Sequence, residues 1–234
     1  SVLMEGVCRH QVIPYGIDHE VFRPGDKIHA RLALGLPLEQ RILLFAADTI
    51  KKNVWKDYET MAAAVAQADK RWSSTPLLFL AVGETADPQR VGRAEIRFVP
   101  FTADAQVMAR YFQAADVYMH AARVDTFPNV ILESLSCGTP VVATSVGGIA
   151  EQIRDGETGF LVPPGDAEEM ATRLVRLLED GALREGMSHR AAADAQQRFV
   201  LAREAQDYIR CYQERIEDQR ARGVGQIRYV GSAA

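Results

Sequence analysis

Two carboxylates, Asp125 and Glu133, bracket seven residues of a segment that runs into a predicted helix. Asp125 precedes this helix, predicted over 129–136, and Glu133 lies on its second turn. Because the first turn of a helix leaves backbone N–H groups unpaired at the positive end of the helix dipole, such an end suits phosphate. Carboxylates accept hydrogen bonds from sugar or ribose hydroxyls. The spacing therefore predicts a site for a phosphorylated, hydroxyl-rich ligand such as a nucleotide sugar.

Four further residues are candidates for the same site. Gly147 and Gly148 follow a predicted strand, where glycines let the backbone approach a ligand closely or form a plain strand-to-helix turn. Lys56 opens a predicted helix and could reach a phosphate as a point charge, although a single lysine is also typical of a solvated surface. His120 ends the strand predicted over 117–119, where it would either contact a ligand or serve as a hydrogen-bonded loop residue.

Short apolar runs alternate with helical patterns along most of the chain. Predicted strands cover 41–47, 77–82, 96–99, 117–119, 141–144 and 159–162. Predicted helices cover 56–68, 104–114, 129–136, a turn from 151, a stretch capped by Asp166 and Glu169, 182–199 and 201–219. This alternation predicts an α/β fold, a doubly wound and mostly parallel sheet with C-terminal helices. Ligands of such sheets bind beyond the carboxyl ends of the strands, where the Asp125 loop lies.

The last predicted helix carries an apolar face made of Ala205, Tyr208, Ile209, Tyr212 and Ile216. Spacings of three and four residues place these side chains on one side of a helix. We expect this face to pack against the rest of the domain or against a neighbour outside the chain.

Composition and charge argue against several functional classes. The 234 residues carry a net charge of −4, which gives no global electrostatic case for binding nucleic acid or an anionic membrane. No apolar run approaches the ~20 residues that span a bilayer. The chain lacks Asp-x-Asp, so no carboxylate-held metal is expected, and lacks Gly-x-Gly-x-x-Gly, which argues against a dinucleotide enzyme. Three widely spaced cysteines are typical of reduced thiols in a cytoplasmic protein.

The chain is expected to begin at a domain boundary. Residues 1–10 show no signal peptide and are expected to be a residual linker, because a predicted strand and turn begin directly after them. The range 11–220 is expected to form one Rossmann-like domain that binds a nucleotide sugar. Residues 221–234, rich in Gly and Ala, are expected to be disordered.

A series of motifs points, in order, to one known family. Residues 12–18 and the Phe-Arg-Pro at 22–24 are similar to a domain-opening Ile-Pro-Asn-Gly-Val-Asp followed by Phe-x-Pro. The segment 125–133 occupies the position of a Glu-x7-Glu motif. Further matching stretches are 114–117, 137–142, 147–151 and 155–166. Together they resemble the C-terminal, donor-binding domain of a group 1 (glycogen-synthase-like) glycosyltransferase with the GT-B fold, and the match covers most of the chain.

The resemblance implies residue roles. Asp125 would contact the hydroxyls of the transferred sugar, and Glu133 would hold the ribose hydroxyls. The backbone N–H groups of Asn129 and Val130 would meet the diphosphate, with Lys56 as the family's phosphate lysine, so that Asp125 and Lys56 would be the catalytic residues. The other implied binding residues are Phe127, Val99 beside the base, Gly147 and Gly148.

Two positions depart from the family pattern. The first carboxylate of the motif is Asp125 instead of a glutamate, and its side chain is one methylene shorter, which alters the geometry toward the donor. The family's phosphate arginine, expected after the strand 41–47, aligns with Asp48. Arg123 and Lys52 are the candidates to replace its charge.

The resemblance also implies an activity. It is transfer of a sugar from a nucleotide sugar to an acceptor with retained anomeric configuration, in the cytoplasm, with no metal or other cofactor. The acceptor would be held by a preceding N-terminal domain, so this chain by itself would be an inactive fragment. Two alternatives stay open: a non-catalytic nucleotide-sugar-binding module and a nucleotide-sugar epimerase of related fold.

Overall fold

The computed structural model describes residues 11–221, so the predicted linker and all but the first residue of the predicted tail lie outside it. Within this range the strands are β1 (Ile42–Ala46), β2 (Leu78–Val82), β3 (Gln89–Val91), β4 (Ala94–Val99), β5 (Val117–His120), β6 (Val141–Thr144) and β7 (Gly159–Val162). The α-helices are α1 (Lys27–Ala33), α2 (Tyr58–Arg71), α3 (Ala105–Ala114), α4 (Asn129–Ser136), α5 (Ile149–Gln152), α6 (Ala167–Glu179), α7 (Gly181–Arg198) and α8 (Leu201–Ala221). A single 3₁₀ turn, Val54–Lys56, lies between β1 and α2.

The strands form one sheet in the order β3-β4-β2-β1-β5-β6-β7. Every pair is parallel except β3 with β4, which is antiparallel at the edge. At the centre, Leu44 of β1 pairs with Leu80 of β2 on one side and with Tyr118 of β5 on the other. This arrangement confirms the predicted α/β fold with a doubly wound, mostly parallel sheet.

The winding of the sheet reverses between β1 and β5. From β1 the chain passes through α2 to β2, whereas from β5 it passes through α4 to β6 in the opposite direction. Since crossovers between parallel strands are right-handed, α2 and α4 cover opposite faces of the sheet. The reversal leaves a crevice beyond the carboxyl ends of β1 and β5, where open α/β sheets bind their ligands.

Burial explains which elements the sequence pattern predicts and which it does not. Every residue of β1, β2, β5 and β6 is buried, so each of these strands reads as a continuous apolar run. The pattern does not predict β3, because Gln89 and Arg90 of this short edge strand are exposed. It does not predict α1 either, because Ile28 and Leu32 of that helix face solvent while Arg31 is buried.

A buried carboxylate ties α1 to the sheet at the edge opposite the crevice. The Asp116 side chain is 1% exposed, and its Oδ2 accepts hydrogen bonds from Ile42 N–H and Arg31 Nη2, both at 2.8 Å. Lys27 and Arg41 reach Oδ1 at 3.0 and 3.4 Å. Burial acts to raise the pKa of Asp116, but the charges of Lys27 and Arg31 hold it below its usual value. We therefore assign these cations to the fold, although a cleft of about 490 Å³ opens beside Lys27.

The C-terminal helices only partly follow their predicted packing. The carboxylate of Asp166 accepts from the N–H of Glu169 at the start of α6, but the Glu169 side chain pairs with Arg173, so only half of the predicted capping box forms. On α8, the apolar face is exposed, with Tyr208 39% and Tyr212 63% accessible. This face does not pack against the rest of the described domain, so a neighbour outside the chain stays the prediction.

Candidate functional site

A cleft of about 450 Å³ opens at the carboxyl edge of the sheet, between the loop after β1, the loop after β4 and α4. Its wall includes Val130 and Glu133, which the sequence assigned to the site, and also Asp48. Phe101 and Thr102 complete the opposite side. Neither Lys56 nor Asp125 is among the residues that line it. The predicted site is thus divided between this cleft and a neighbouring ion pair.

The N-terminus of α4 lacks the aspartate cap that five other described helices have. An aspartate carboxylate accepts from backbone N–H groups at the start of α1, α2, α3, α6 and α7: Asp26, Asp57, Asp104, Asp166 and Asp180, respectively. Among the described residues no side chain caps α4, where Pro128 occupies the capping position. The N–H groups of Asn129 and Val130 therefore receive no side-chain cap, and Val130 itself lines the cleft.

Contacts from two neighbouring elements fix where α4 begins. The buried Gln152 of α5 donates its Nε2–H to the carbonyl of Pro128 at 3.0 Å. The N–H of Gly148 donates to the carbonyl of Thr126 at 2.8 Å. A Cβ at Gly147 would lie 1.9 Å from the Asp125 carbonyl oxygen, and one at Gly148 2.0 Å from that of Thr126. The two glycines therefore let the Asp125 loop approach closely, and a direct role toward a ligand stays a prediction.

Glu133 is the more buried of the two carboxylates in the cleft wall. Burial on α4 raises its pKa to about 7, because desolvation penalises the charged carboxylate. Asp48 lies in the same wall, is exposed, and accepts a hydrogen bond from the hydroxyl of Thr49 at 3.3 Å. Where the family has an arginine that binds phosphate, this chain therefore has an aspartate, Asp48, in the cleft wall.

Lys56 and Asp125 form an ion pair. Lys56 Nζ lies 2.7 Å from Asp125 Oδ2, and the two side chains are 21% and 13% exposed. Lys56 ends the 3₁₀ turn and does not open α2 as predicted, because Asp57 adopts a left-handed conformation with φ 46° and caps the helix that begins at Tyr58. Partial burial acts to raise the pKa of Asp125, but His120 and Lys56 lower it to about 2.

Two buried residues of β5, Tyr118 and His120, connect the ion pair to the cleft. The His120 ring is fully buried, and its Nε2 lies 3.5 Å from Asp125 Oδ2. In the ligand-free chain the His120 ring has no exposed surface, and its Nδ1 lies 3.2 Å from the Tyr118 hydroxyl. Burial raises the pKa of Tyr118 well above its usual value, and the charges of Glu133 and Asp125 raise it further. Both carboxylates therefore lie within electrostatic reach of one hydroxyl. The sequence pattern does not single out Tyr118, because this residue lies within an otherwise apolar run.

Five of the seven predicted binding residues are not among those that line the cleft: Asn129, Gly147, Gly148, Phe127 and Val99. Phe127 packs edge-on against Tyr15 and Phe199, with ring centroids 6.1 and 6.0 Å apart. The carbonyl of Val99 accepts from the N–H groups of Gly83 and Glu84. The cleft is lined by residues that follow Val99, among them Phe101, and an aromatic residue just after the strand predicted over 96–99 is the signal that the sequence offers.

Arg123, one of the two candidates to replace the charge of the missing arginine, forms an ion pair with Asp57. The Arg123 guanidinium donates to the carboxylate of Asp57, with Nε 3.0 Å from Oδ2. Lys52 is exposed on the loop after β1 and stays a candidate.

Residues 11–221 hold neither a metal-binding cluster nor a helix that could span a membrane. They contain no group of three or more His, Cys, Asp or Glu side chains arranged to hold a metal ion. None of their helices is both long and apolar enough to cross a membrane.

The chain is similar to known proteins over most of its length. A family model described as glycosyl transferases group 1 matches residues 40–180. A D-inositol 3-phosphate glycosyltransferase from Acidothermus cellulolyticus is 31% identical over 226 residues, which cover 91% of this chain and 49% of that protein. The chain thus spans about half the length of the curated relatives it matches.

Solved structures show the same fold. A sucrose-phosphate synthase from Thermosynechococcus elongatus superposes with a TM-score of 0.76 at 29% identity, covering 89% of this chain and 53% of that one. Anabaena HepE, in complex with UDP and glucose, superposes with a TM-score of 0.72 at 24% identity, covering 87% and 56%. Each matches over roughly half of its own length, as expected for one domain of a two-domain protein.

Proposed function

Because the chain belongs to the group 1 glycosyltransferases, we propose that it is the half of such an enzyme that binds the nucleotide-sugar donor. In the complete protein, an N-terminal half would bind the acceptor, and the sugar would be transferred with retention of its anomeric configuration. The match to this family favours a transferase over a nucleotide-sugar epimerase.

One observation carries the proposal: the uncapped N-terminus of α4 lies at the reversal point of the sheet, with Glu133 one turn further along. The N–H groups of Asn129 and Val130 suit the diphosphate of a donor. The Glu133 carboxylate, in the same cleft wall, suits the two hydroxyls of a ribose. A ligand that carries both a diphosphate and a ribose is a nucleotide, and its attached sugar would extend toward the Asp125 loop.

Lys56 and Asp125 would serve the reacting end of the donor. When the bond between the anomeric carbon and the diphosphate breaks, negative charge grows on the departing oxygen. The Lys56 ammonium and the α4 amides would stabilise this charge, which lowers the barrier without a divalent metal. The carboxylate of Asp125, held ionised by its low pKa, would orient the sugar through its hydroxyls.

The complete protein is proposed to work in the cytoplasm with the donor as its small-molecule partner. A buried free thiol such as that of Cys137 stays reduced in that compartment. No nucleic acid or membrane partner is proposed for this half.

A second candidate function is a binding module that has lost catalysis. Its support is Asp48, because a carboxylate in the cleft wall repels a diphosphate where the family has an arginine. Sugar transfer by the complete protein would eliminate this alternative.

Calorimetric titration of the 234-residue chain with UDP, GDP and ADP tests the proposal. One of these nucleotides is expected to bind, and Glu133→Ala is expected to weaken it about 10-fold or more, the effect of losing hydrogen bonds to a charged group. Glu185→Ala, in the cleft at the opposite edge of the sheet, is the matched control and should leave affinity unchanged. No binding of any of the three at millimolar concentration would contradict the proposal.

A further inference from the structure

In the ligand-free chain, two residues of the proposed site, Lys56 and Asp125, bind each other. Lys56 is proposed to meet the diphosphate and Asp125 the sugar, yet in the ligand-free chain the two are bound to each other at 2.7 Å. A diphosphate carries more negative charge than one carboxylate, so it competes with Asp125 for the ammonium. When Lys56 is drawn toward the diphosphate, Asp125 loses its main partner at the moment it has to hold the sugar.

A second donor stands beside the same oxygen. His120 Nε2 is 3.5 Å from Asp125 Oδ2, which is too long for a formed hydrogen bond. Within the part of the chain that the structure describes, this buried nitrogen has no hydrogen-bond partner at all. A buried polar atom without a partner is costly and calls for an explanation. A shift of the Asp125 carboxylate by well under 1 Å would bring the pair into hydrogen-bond range.

The His120 ring itself is held in place. It packs against the Phe45 ring, with centroids 5.6 Å apart, and its Nδ1 lies 3.2 Å from the Tyr118 hydroxyl. The Thr144 hydroxyl donates to the carbonyl of Ala122 at 2.6 Å and so fixes the backbone just beyond the histidine. Any adjustment between the two groups therefore falls to Asp125, whose loop is partly exposed.

The position of the imidazole proton decides whether His120 can act as this donor. The Tyr118 hydroxyl has one proton and two acceptors within reach, His120 Nδ1 at 3.2 Å and the Ala46 carbonyl at 3.3 Å. If Tyr118 donates to Nδ1, the histidine carries its proton on Nε2, facing Asp125. The other tautomer would place a lone pair against a carboxylate. Because contacts with a charged group outweigh neutral ones, the Nε2–H tautomer is favoured.

We propose that His120 is a positioning residue for Asp125. When the diphosphate of the donor draws Lys56 away, the Nε2–H of His120 donates a hydrogen bond to the Asp125 carboxylate. This bond keeps the carboxylate oriented toward the sugar. This deepens the proposed function and rests on it. Lys56 is then a shared cation, with Asp125 as its partner in the empty site and the diphosphate in the loaded one. Recognition of the diphosphate is thereby coupled to freeing the carboxylate that orients the sugar.

Nitrogen-15 NMR of the imidazole rings tests the proposal without any ligand. The His120 signals are identified by their loss in His120→Gln. Lys56→Met imitates withdrawal of the ammonium, and Lys51→Met, at an exposed lysine of the loop after β1, is the matched control. We expect a neutral Nε2–H tautomer in the wild type, and in Lys56→Met a downfield shift and slower exchange of the Nε2 proton as the hydrogen bond to Asp125 closes. An Nδ1–H tautomer, or an Nε2 proton that responds equally to both lysine variants, overturns the proposal.

A binding experiment separates this inference from the proposed function. The amide nitrogen of glutamine imitates histidine Nε2, whereas that of asparagine imitates Nδ1. His120→Asn should therefore lower the affinity for a nucleotide sugar about 5- to 10-fold while sparing the matching nucleoside diphosphate, and His120→Gln should stay within about 2-fold for both. Equal losses with both variants on the sugar nucleotide overturn the positioning role. Failure of the wild type to bind any nucleotide overturns the proposed function, and the ligand-free NMR result still decides the role of His120.

Discussion

At the residue scale, the proposed role of Glu133 and its burial have opposite effects on the charge of its carboxyl group. As the proposed ligand for two ribose hydroxyls Glu133 accepts best when it is ionised, yet its burial on α4 raises its pKa to about 7. Spacing along the sequence predicts that Glu133 shares the cleft with the start of α4, since both lie on one short helix. It does not predict the Lys56–Asp125 pair or the buried His120, because these contacts join β5 to the loop after β1 and depend on the order of the strands.

Replacement of Glu133 by glutamine should change how stability depends on pH. The folded pKa of about 7 lies above the usual value of 4.5, so folding takes up a proton in that interval. The contribution of Glu133 to stability is therefore full below pH 4.5 and is lost as the pH rises toward 7. Glu133→Gln is expected to gain on the order of 2 kcal/mol over the wild type between pH 5 and pH 8. Urea unfolding at both pH values measures this difference, and a gap that does not grow at pH 8 would refute the burial argument.

At the scale of elements, the sheet and its crossover helices follow from the sequence because buried parallel strands are continuous apolar runs. The sequence predicts the start of α2 at Lys56, two residues too early. The cause is local, because Asp57 adopts a left-handed backbone conformation that separates Lys56 from α2. A pattern of apolar residues carries no information about such a backbone angle. Gly147 and Gly148 show the same limit. A glycine pair after a strand predicts a close approach, but only the fold identifies the approaching backbone as that of the Asp125 loop.

Gly148→Ala tests whether that approach positions α4. Gly148 has a φ of −77°, which alanine adopts easily, so the expected cost comes from contact of the new Cβ with the Thr126 carbonyl 2.0 Å away. We expect a loss of about 2 kcal/mol in unfolding free energy together with weaker nucleotide binding. Gly181→Ala, whose Cβ would meet nothing closer than 3.7 Å, is the control and should be neutral or stabilising. A Gly148→Ala protein as stable as the control would remove the glycine pair from the account.

At the scale of the whole molecule, the chain is about half the length of its curated relatives, and the residues from 11 to 221 leave one helix face uncovered. The apolar face of α8 is a simple helical pattern that the sequence predicts well. Whether such a face packs inward or outward is decided by the rest of the fold, which is why two alternatives were open. The described domain does not cover this face, and we propose that the N-terminal half of the complete protein does.

Serine substitution at Ile209 and Tyr212 tests this proposal. In the 234-residue chain both side chains are exposed, so the double variant should change unfolding free energy by less than about 0.5 kcal/mol per site. In the complete protein the same change should lower the melting temperature and the rate of sugar transfer, because it removes apolar contact between the halves. The 234-residue chain alone should show no transfer. Equal effects in the short and long proteins, or turnover by the short one, would contradict the division of labour between two halves.

The central claim is that a nucleotide diphosphate binds at the open start of α4. Amide NMR of the 234-residue chain, titrated with the nucleotide that calorimetry selects, tests it most directly. We predict the largest shifts at the N–H groups of Asn129 and Val130, smaller ones at Asp48, and none at Gly138 and Ser188 in the cleft at the opposite edge. Shifts confined to Gly138 and Ser188, or saturation of binding with Asn129 and Val130 unmoved, would contradict the account.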